Sequence, residues 1–148
     1  MKKISEFRKL LGVDEKVELK DLKSVYRNFM KQWHPDKFQD ENELMEAQEK
    51  SKQIIEAYHF LVSISPETHA QNFDEYSAVI STSTITDVEY KGSILTLSYE
   101  GGNRFEYYGV PKALYIKLVN ADTPARFVRR HISGSFVYRN VSRSEVSA

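Results

Sequence analysis

Hydrophobic residues recur every three or four positions between residues 22 and 33, which predicts a helix with one face packed into a core. That face consists of Leu22, Val25, Tyr26, Phe29 and Trp33. Pro35 disfavours helical geometry in the residue before it, so we expect this helix to end near Trp33 or His34. Asp36 and Lys37 then fall in a loop.

A second helical pattern follows this loop. Asp40 and Glu43 have the spacing of an N-cap and its replying residue, which favours a helix start at this point. The apolar positions continue at helical spacing through Leu44, Ile54, Tyr58 and Leu61, and the small residues Ala47, Ser51 and Ala57 share part of that face. The first half of the chain is therefore predicted to be two antiparallel helices joined by an exposed loop.

The pattern changes after Tyr76. A Ser/Thr-rich stretch at residues 77–84 is predicted to be a linker or a lead-in strand, and apolar residues then alternate as in hairpin strands. Turns are expected at Lys91-Gly92 and at 101–103, and further strand residues at Phe105 and Tyr107. Two short helices follow Pro111. We therefore predict an α+β protein with an all-α helical-hairpin domain at 1–76 and a small α+β domain, a β-meander plus short helices, at 85–148.

The helix at 22–33 carries a row of positive charge opposite its apolar face, formed by Lys20, Lys23, Arg27 and Lys31. Like charges four residues apart on a helix cost roughly 0.2–0.5 kcal/mol per pair. A solvated face is one interpretation, but an acidic partner surface explains the row better. The row leads to His34 and Asp36, which would need a nucleophile and a pocket for catalysis and only exposure for recognition.

These motifs together resemble the J domain of DnaJ-type co-chaperones. The resemblance rests on LKSVYR at 22–27, WHPDK at 33–37, IEAY at 55–58 and FRKLLGV at 7–13. It implies a domain that docks on a DnaK-type heat-shock chaperone and stimulates its ATP hydrolysis. The implied contact residues are His34, Pro35 and Asp36 in the loop, with Arg27, Lys23 and Lys31 on the preceding helix.

The resemblance also implies a short fourth helix, capped and begun by SPE at 65–67 and ending near Tyr76. Two residues depart from the family pattern. Ser51 stands where the family has a phenylalanine that helps contact the chaperone, and no Ser or Thr cap is present near Glu18, where the basic helix begins.

The second half resembles the KTSC domain, named for its occurrence at the C-terminus of some lysyl-tRNA synthetases. The similarity rests on FEYYGVP at 105–111 and on the residues Leu114, Tyr115, Leu118, Ala121 and Phe127. The family is largely bacterial, and RNA binding is only a proposal for it. The resemblance therefore implies a fold without a defined task.

A weakly basic charge balance gives this half a possible nucleic-acid site, because arginine and tyrosine suit phosphate pairing and base stacking. The candidate residues are Arg104, Tyr107, Arg126, Arg129 and Arg130. The alternative interpretation places the aromatic residues in the core of a small sheet, with the arginines at its rim.

Composition narrows the function classes. The chain has 148 residues, no net charge and no cysteine, which excludes disulfides and thiol catalysis. Four scattered histidines (His34, His59, His69 and His131) lack metal-ligand spacing, and no phosphate-binding loop or nucleophile elbow occurs. No apolar run is long enough to span a membrane. We expect a cytoplasmic protein that is not an enzyme and needs no metal or cofactor.

Two hypotheses remain open from the sequence. The first is a DnaJ-like co-chaperone whose C-terminal domain targets it to an unknown client or site. The second is an RNA- or ribosome-associated protein that acts through its C-terminal domain. The sequence identifies neither the client nor the chaperone paralogue.

Overall fold

The computed structural model describes residues 2–142 and confirms the α+β class. The helices α1 (Lys2–Leu11), α2 (Leu19–Trp33), α3 (Glu41–Ser63) and α4 (Pro66–Thr82) come first, with a one-turn 3-10 helix at Pro35–Lys37. The chain then forms β1 (Ile85–Lys91), β2 (Ile94–Tyr99), β3 (Arg104–Tyr108), α5 (Lys112–Val119), α6 (Pro124–Phe127), a π-helical turn (Val128–Ile132) and β4 (Tyr138–Asn140). Two compact units divide between His69 and Ala70.

The N-terminal unit is built on α3, against which α1 and α2 pack. Leu22 of α2 and Ile54 of α3 are completely buried, as the helical periodicity predicted. The small residues Ala47 and Ala57 are also buried, and the rings of Tyr26 and Tyr58 stack with centroids 4.1 Å apart. Close approach of α2 and α3 is therefore supported by small and aromatic side chains together.

The start of α3 confirms the predicted cap. The Glu43 backbone N–H donates a hydrogen bond to Asp40 Oδ2 over 3.1 Å. Ser65 caps α4 in the same way, with Thr68 N–H donating to Ser65 Oγ over 3.2 Å. Each side chain satisfies a backbone donor that the helix leaves unpaired at its first turn.

The C-terminal unit is an antiparallel sheet with strand order β1-β2-β3-β4. Leu95, Leu97 and Tyr99 of β2 and Phe105 and Tyr107 of β3 face its core, which confirms the predicted alternation. The other core residues come from the helical segments and from the loop between β3 and α5; they are Tyr76, Val79, Ile80, Val110, Leu118, Val128 and Ile132. The β-meander has one face covered by helices.

Residues 77–82 are helical, so the predicted linker or lead-in strand at 77–84 was wrong over most of its length. The predicted short fourth helix is therefore 17 residues long. Serine, threonine and β-branched residues are weak helix formers, which is why the sequence favoured an irregular segment. Burial of Val79 and Ile80 in the core of the C-terminal unit outweighs that preference.

Two smaller differences concern short segments. Asp36 and Lys37, expected in a loop, form a one-turn 3-10 helix with Pro35. The aromatic run at 136–138 leads into β4, which pairs with β3 through Tyr107 and Tyr138. Residue 1 and residues 143–148, the outer ends of the predicted domains, lie outside the described residues. None of the helices within residues 2–142 combines the length and hydrophobicity needed to cross a bilayer.

Candidate functional site

His34 lies at the C-terminal end of α2 and changes the direction of the chain. Its backbone N–H still donates to Met30 O over 3.0 Å, but its φ and ψ of −62° and 130° are extended. Pro35 requires this geometry of the preceding residue and then begins the 3-10 turn. Lys37 N–H donates to His34 O over 3.0 Å, and Phe38 N–H donates to Pro35 O over 3.1 Å. Local hydrogen bonds therefore fix the shape of this turn.

The side chains of His34 and Asp36 lie beside each other. Asp36 N–H donates to His34 Nδ1 over 3.2 Å, and Nδ1 lies 3.5 Å from Asp36 Oδ2. The first contact requires an unprotonated Nδ1, whereas the second becomes an ion pair when Nδ1 carries a proton. The side chains are 49% and 92% exposed, so an imidazole and a carboxylate are both presented to solvent.

The predicted row of positive charge is on the surface of α2. Lys23, Arg27 and Lys31 are exposed, and none of them forms an ion pair with another residue in the described part of the chain. Lys20, at the start of the row, lies 3.5 Å from Glu18. Three cations thus extend along α2 toward the His34–Asp36 turn without an ion-pair partner among the described residues. We call this row and the turn together the basic docking face.

The first backbone N–H of α2 donates to the side chain of Glu67, a residue that the sequence did not indicate as part of the site. Glu18 makes no side-chain cap, as expected from the missing Ser or Thr. Instead, Leu19 N–H donates to Glu67 Oε1 over 2.9 Å, although the two residues are 48 positions apart. A carboxylate at a helix N-terminus also interacts favourably with the helix dipole. No local signal identifies such a partner, because it comes from the first turn of another helix.

The predicted nucleic-acid residues do not form one surface for stacking and phosphate contacts. Tyr107 is completely buried and its hydroxyl bonds to Tyr76, so the prediction that it stacks on a base was wrong. Arg129 donates through Nη1 to Ile80 O over 3.2 Å, and Arg104 pairs with Glu89 over 3.2 Å. Arg126 and Arg130 are exposed. The interpretation of the aromatic residues as core is the one that the structure supports.

A cluster of tyrosines lies in the core of the C-terminal unit. The hydroxyls of Tyr76 and Tyr107 are 2.7 Å apart, and Tyr76 also donates to Ser133 Oγ over 3.2 Å. Burial raises the pKa of Tyr76, Tyr99 and Tyr107 because the charged phenolate is poorly solvated there. The same cause raises the pKa of Tyr138 to about 12. The phenols therefore stay protonated near neutral pH, and Tyr76 and Tyr107 contribute a buried hydrogen bond to the core.

No group of three or more potential metal ligands comes together within residues 2–142. Among the described residues, His34 pairs with one carboxylate, that of Asp36. The site is therefore one of exposed charge and fixed shape, and it suits recognition of another macromolecule.

Comparison with protein families assigns both halves of the chain. The DnaJ domain model matches residues 6–74 and the KTSC domain model matches residues 81–136. The chain thus carries a J domain followed by a KTSC domain, in the order that the motifs indicated. The basic docking face lies entirely within the J domain.

Several curated proteins that are named DnaJ or DnaJ homolog are similar to part of this chain. The chaperone protein DnaJ of Thermoplasma volcanium is 43% identical over 56 residues, which are 38% of this chain and 15% of that protein. The chaperone protein DnaJ of Hydrogenobacter thermophilus is 38% identical over 71 residues, 48% of this chain and 18% of that protein. Mouse DnaJ homolog subfamily B member 8 is 40% identical over 58 residues, 39% and 25% respectively. The chain spans a quarter or less of the length of these relatives.

Proposed function

We propose that this protein is a DnaJ-type co-chaperone, which binds a DnaK-type heat-shock chaperone and stimulates its ATP hydrolysis. The observation that carries the proposal is the basic docking face. It combines an exposed His34–Asp36 pair with three exposed cations that form no ion pair with any described residue. The J-domain match at residues 6–74 supports the same role.

Charge provides the attraction in this proposal. A row of exposed positive charge raises the rate of encounter with an acidic surface and orients the approach. Lys23, Arg27 and Lys31 supply that row, and their mutual repulsion decreases when a negatively charged partner lies between them. Binding should accordingly weaken as salt screens the charges.

The turn provides the specific contact. Hydrogen bonds from Lys37 N–H and Phe38 N–H hold its backbone, so little conformational entropy is lost when a partner binds. His34 and Asp36 then offer a donor and an acceptor at a fixed spacing. In this proposal the chain adds no catalytic chemistry of its own, acts in the cytoplasm, and changes the ATPase rate by stabilising one conformation of the chaperone.

The KTSC domain has a separate role in the proposal, which is to direct the J domain to a client or a site. The support for this is the division of the chain itself. The docking residues lie in the unit that ends at His69, and the second unit has its own core and its own surfaces. The burial of Tyr107 removes one of the residues on which the RNA-binding hypothesis rested.

The test is the single-turnover ATPase rate of a DnaK-type chaperone with and without the full chain. We expect the wild-type chain to raise the rate and His34→Gln to remove most of the increase, because the imidazole contact is lost. Arg27→Glu should weaken the stimulation, most strongly at low salt, since it reverses one charge in the row.

The matched control is His59→Gln, which makes the same substitution at an exposed position of α3. It should stimulate as well as the wild type. Circular dichroism of all variants checks that they are folded. A wild-type chain that leaves the ATPase rate unchanged would contradict the proposal, as would equal losses for the His34 and His59 variants.

A further inference from the structure

The strand β1 forms one edge of the sheet in the C-terminal unit. It pairs with β2 on one side, and no strand of the described residues pairs with its other side. From Asp87 to Lys91 the register with β2 is regular, opposite Ser98 to Ile94. An edge of this kind presents alternate backbone N–H and C=O groups to which an extended chain can add as a further strand.

The two faces of β1 differ in chemistry. Asp87, Glu89 and Lys91 are exposed on the outer face, while Val88 and Tyr90 are half-buried on the face that meets the core. Residues of an added strand that lie opposite Val88 and Tyr90 would share the core face. Apolar residues at alternate positions of the added strand would therefore be favoured.

The two carboxylates on the outer face differ in their pairing. Glu89 is paired with Arg104 over 3.2 Å, but the carboxylate of Asp87 makes no hydrogen bond or ion pair with any described residue. Asp87 directly follows a β-bulge between Ile85 and Asp87, and bulges often redirect a side chain. An unpaired carboxylate therefore lies at the start of the regular edge.

A groove of about 360 Å³ lies beside this charge. Its lining includes Asp87 and Glu89 from β1, Ser98 from β2 and Arg104 from β3. The groove is thus on the outer face of the sheet, on the β2 side of Asp87, and a long basic side chain from an added strand would reach it by crossing β1 beside Asp87.

We propose that β1 binds an extended polypeptide segment in which apolar residues alternate and one basic residue pairs with Asp87. This inference rests on the proposed co-chaperone role, because it names the class of client that the KTSC domain would select. Charged edge strands also discourage self-association. Here the free carboxylate of Asp87 selects against acidic strands and in favour of a basic one.

The test uses the full chain and two short synthetic peptides that alternate threonine and valine and differ in one central residue, lysine or glutamate. Fluorescence anisotropy measures affinity, and backbone amide NMR locates binding. We expect the lysine peptide to bind roughly two- to thirtyfold more tightly than the glutamate peptide, since opposite and like cross-strand charges differ by that much. The amide signals of β1 should shift.

A charge exchange tests Asp87 directly. Asp87→Lys should reverse the order of the two peptides, and Asp87→Asn should remove the preference without changing the shape of the side chain. The matched control is Asp122→Lys, an exposed aspartate outside the sheet, which should keep the wild-type order. Either Asp87 variant suffices if the other fails to fold.

Several results would overturn the inference. These are equal affinity for the two peptides, no measurable binding, shifts confined to the J domain, or a dimer of the chain that Asp87→Lys dissociates. The ATPase assay on the same preparation separates the two proposals. Stimulation without peptide binding rejects the inference alone, whereas peptide binding without stimulation rejects the co-chaperone role alone.

Discussion

The buried hydroxyls of Tyr76 and Tyr107 bond to each other but differ in their other hydrogen-bond partners. Tyr107 is completely buried, and its hydroxyl bonds to Tyr76. Tyr76 has Ser133 as a further partner. Because Tyr76 donates to Ser133, Tyr107 is the donor between the two phenols. Removing the Tyr76 hydroxyl therefore leaves the Tyr107 donor without its acceptor, whereas removing the Tyr107 hydroxyl leaves Tyr76 bonded to Ser133.

We expect Tyr76→Phe to destabilise the C-terminal unit more than Tyr107→Phe does. The first change leaves a buried donor unsatisfied, which costs about 1–3 kcal/mol, whereas the second removes a hydrogen bond worth about 0.5–1.5 kcal/mol and leaves Tyr76 bonded to Ser133. Urea unfolding followed by far-UV circular dichroism measures both. The reverse order, or equal costs, would contradict the assigned donor direction.

Individual site residues were predictable where their setting was local. His34, Pro35 and Asp36 follow a helix whose end Pro35 dictates, so their exposure in a turn follows from the sequence. Tyr107 was only partly predictable. The alternating pattern predicts one buried face of the strand, but the sequence left open whether Tyr107 lies in the core or stacks on a base, and the packing of helical residues such as Tyr76 and Leu118 decides it.

At the scale of elements, α2 depends on a cap supplied from elsewhere. Glu67 accepts the Leu19 N–H over 2.9 Å and replaces the missing side-chain cap at Glu18. The basic docking face is therefore held at its start by the first turn of α4. Glu67 is remote in sequence from α2, yet it helps to hold the helix that carries Lys23 and Arg27.

We expect Glu67→Ala to lower the free energy of unfolding of the N-terminal unit by about 1 kcal/mol, as the loss of a helix cap does. Glu67→Gln should cost less, because its amide oxygen still accepts the hydrogen bond. Fluorescence during urea unfolding reports this unit selectively, since Trp33 is the only tryptophan in the chain.

Glu56→Ala is the matched control for the cap, as it removes an exposed glutamate from α3. It should leave the unfolding midpoint nearly unchanged. If its cost equals that of Glu67→Ala, the hydrogen bond to Leu19 contributes nothing measurable.

The elements themselves were predictable to different degrees. The spacing of apolar residues, together with capping and turn residues, predicted α2, α3 and the β2–β3 pair. Each of these has a clear apolar face and a clear start or turn. The extension of α4 to Thr82 and the short strand β4 depend on contacts with distant residues. Such contacts leave no periodic signal in a few residues, so neither was expected.

At the scale of the whole molecule, the order of the two domains was predictable from motifs, and the family models confirm it. The free edge at β1 was not predictable. A sequence shows which residues alternate, whereas the sheet order decides which strand lacks a neighbour. That the carboxylate of Asp87 is unpaired follows likewise only from the structure.

We expect the C-terminal unit to lose stability as the pH rises above the ordinary tyrosine pKa of 10.0. Below that pH the phenols are protonated in both the folded and the unfolded chain. Above it the unfolded chain releases protons that buried Tyr99 and Tyr107 retain when folded, so stability falls by about 1.4 kcal/mol per pH unit for each such tyrosine.

Urea midpoints measured by far-UV circular dichroism on either side of pH 10.0 give this slope. Tyr99→Phe should reduce it, because one raised pKa is removed. A slope that Tyr99→Phe leaves unchanged would mean that this phenol does not govern the alkaline transition.

The length of α4 determines where the chain can be divided for study of its parts. The family models suggest a first fragment that ends near residue 74 and a second that begins near residue 81. The second fragment would lack Tyr76, Val79 and Ile80, all of them buried, and also the carbonyl of Ile80 that accepts from Arg129. An expression fragment of the sheet-containing half should therefore begin at about Ala70, where the compact unit starts.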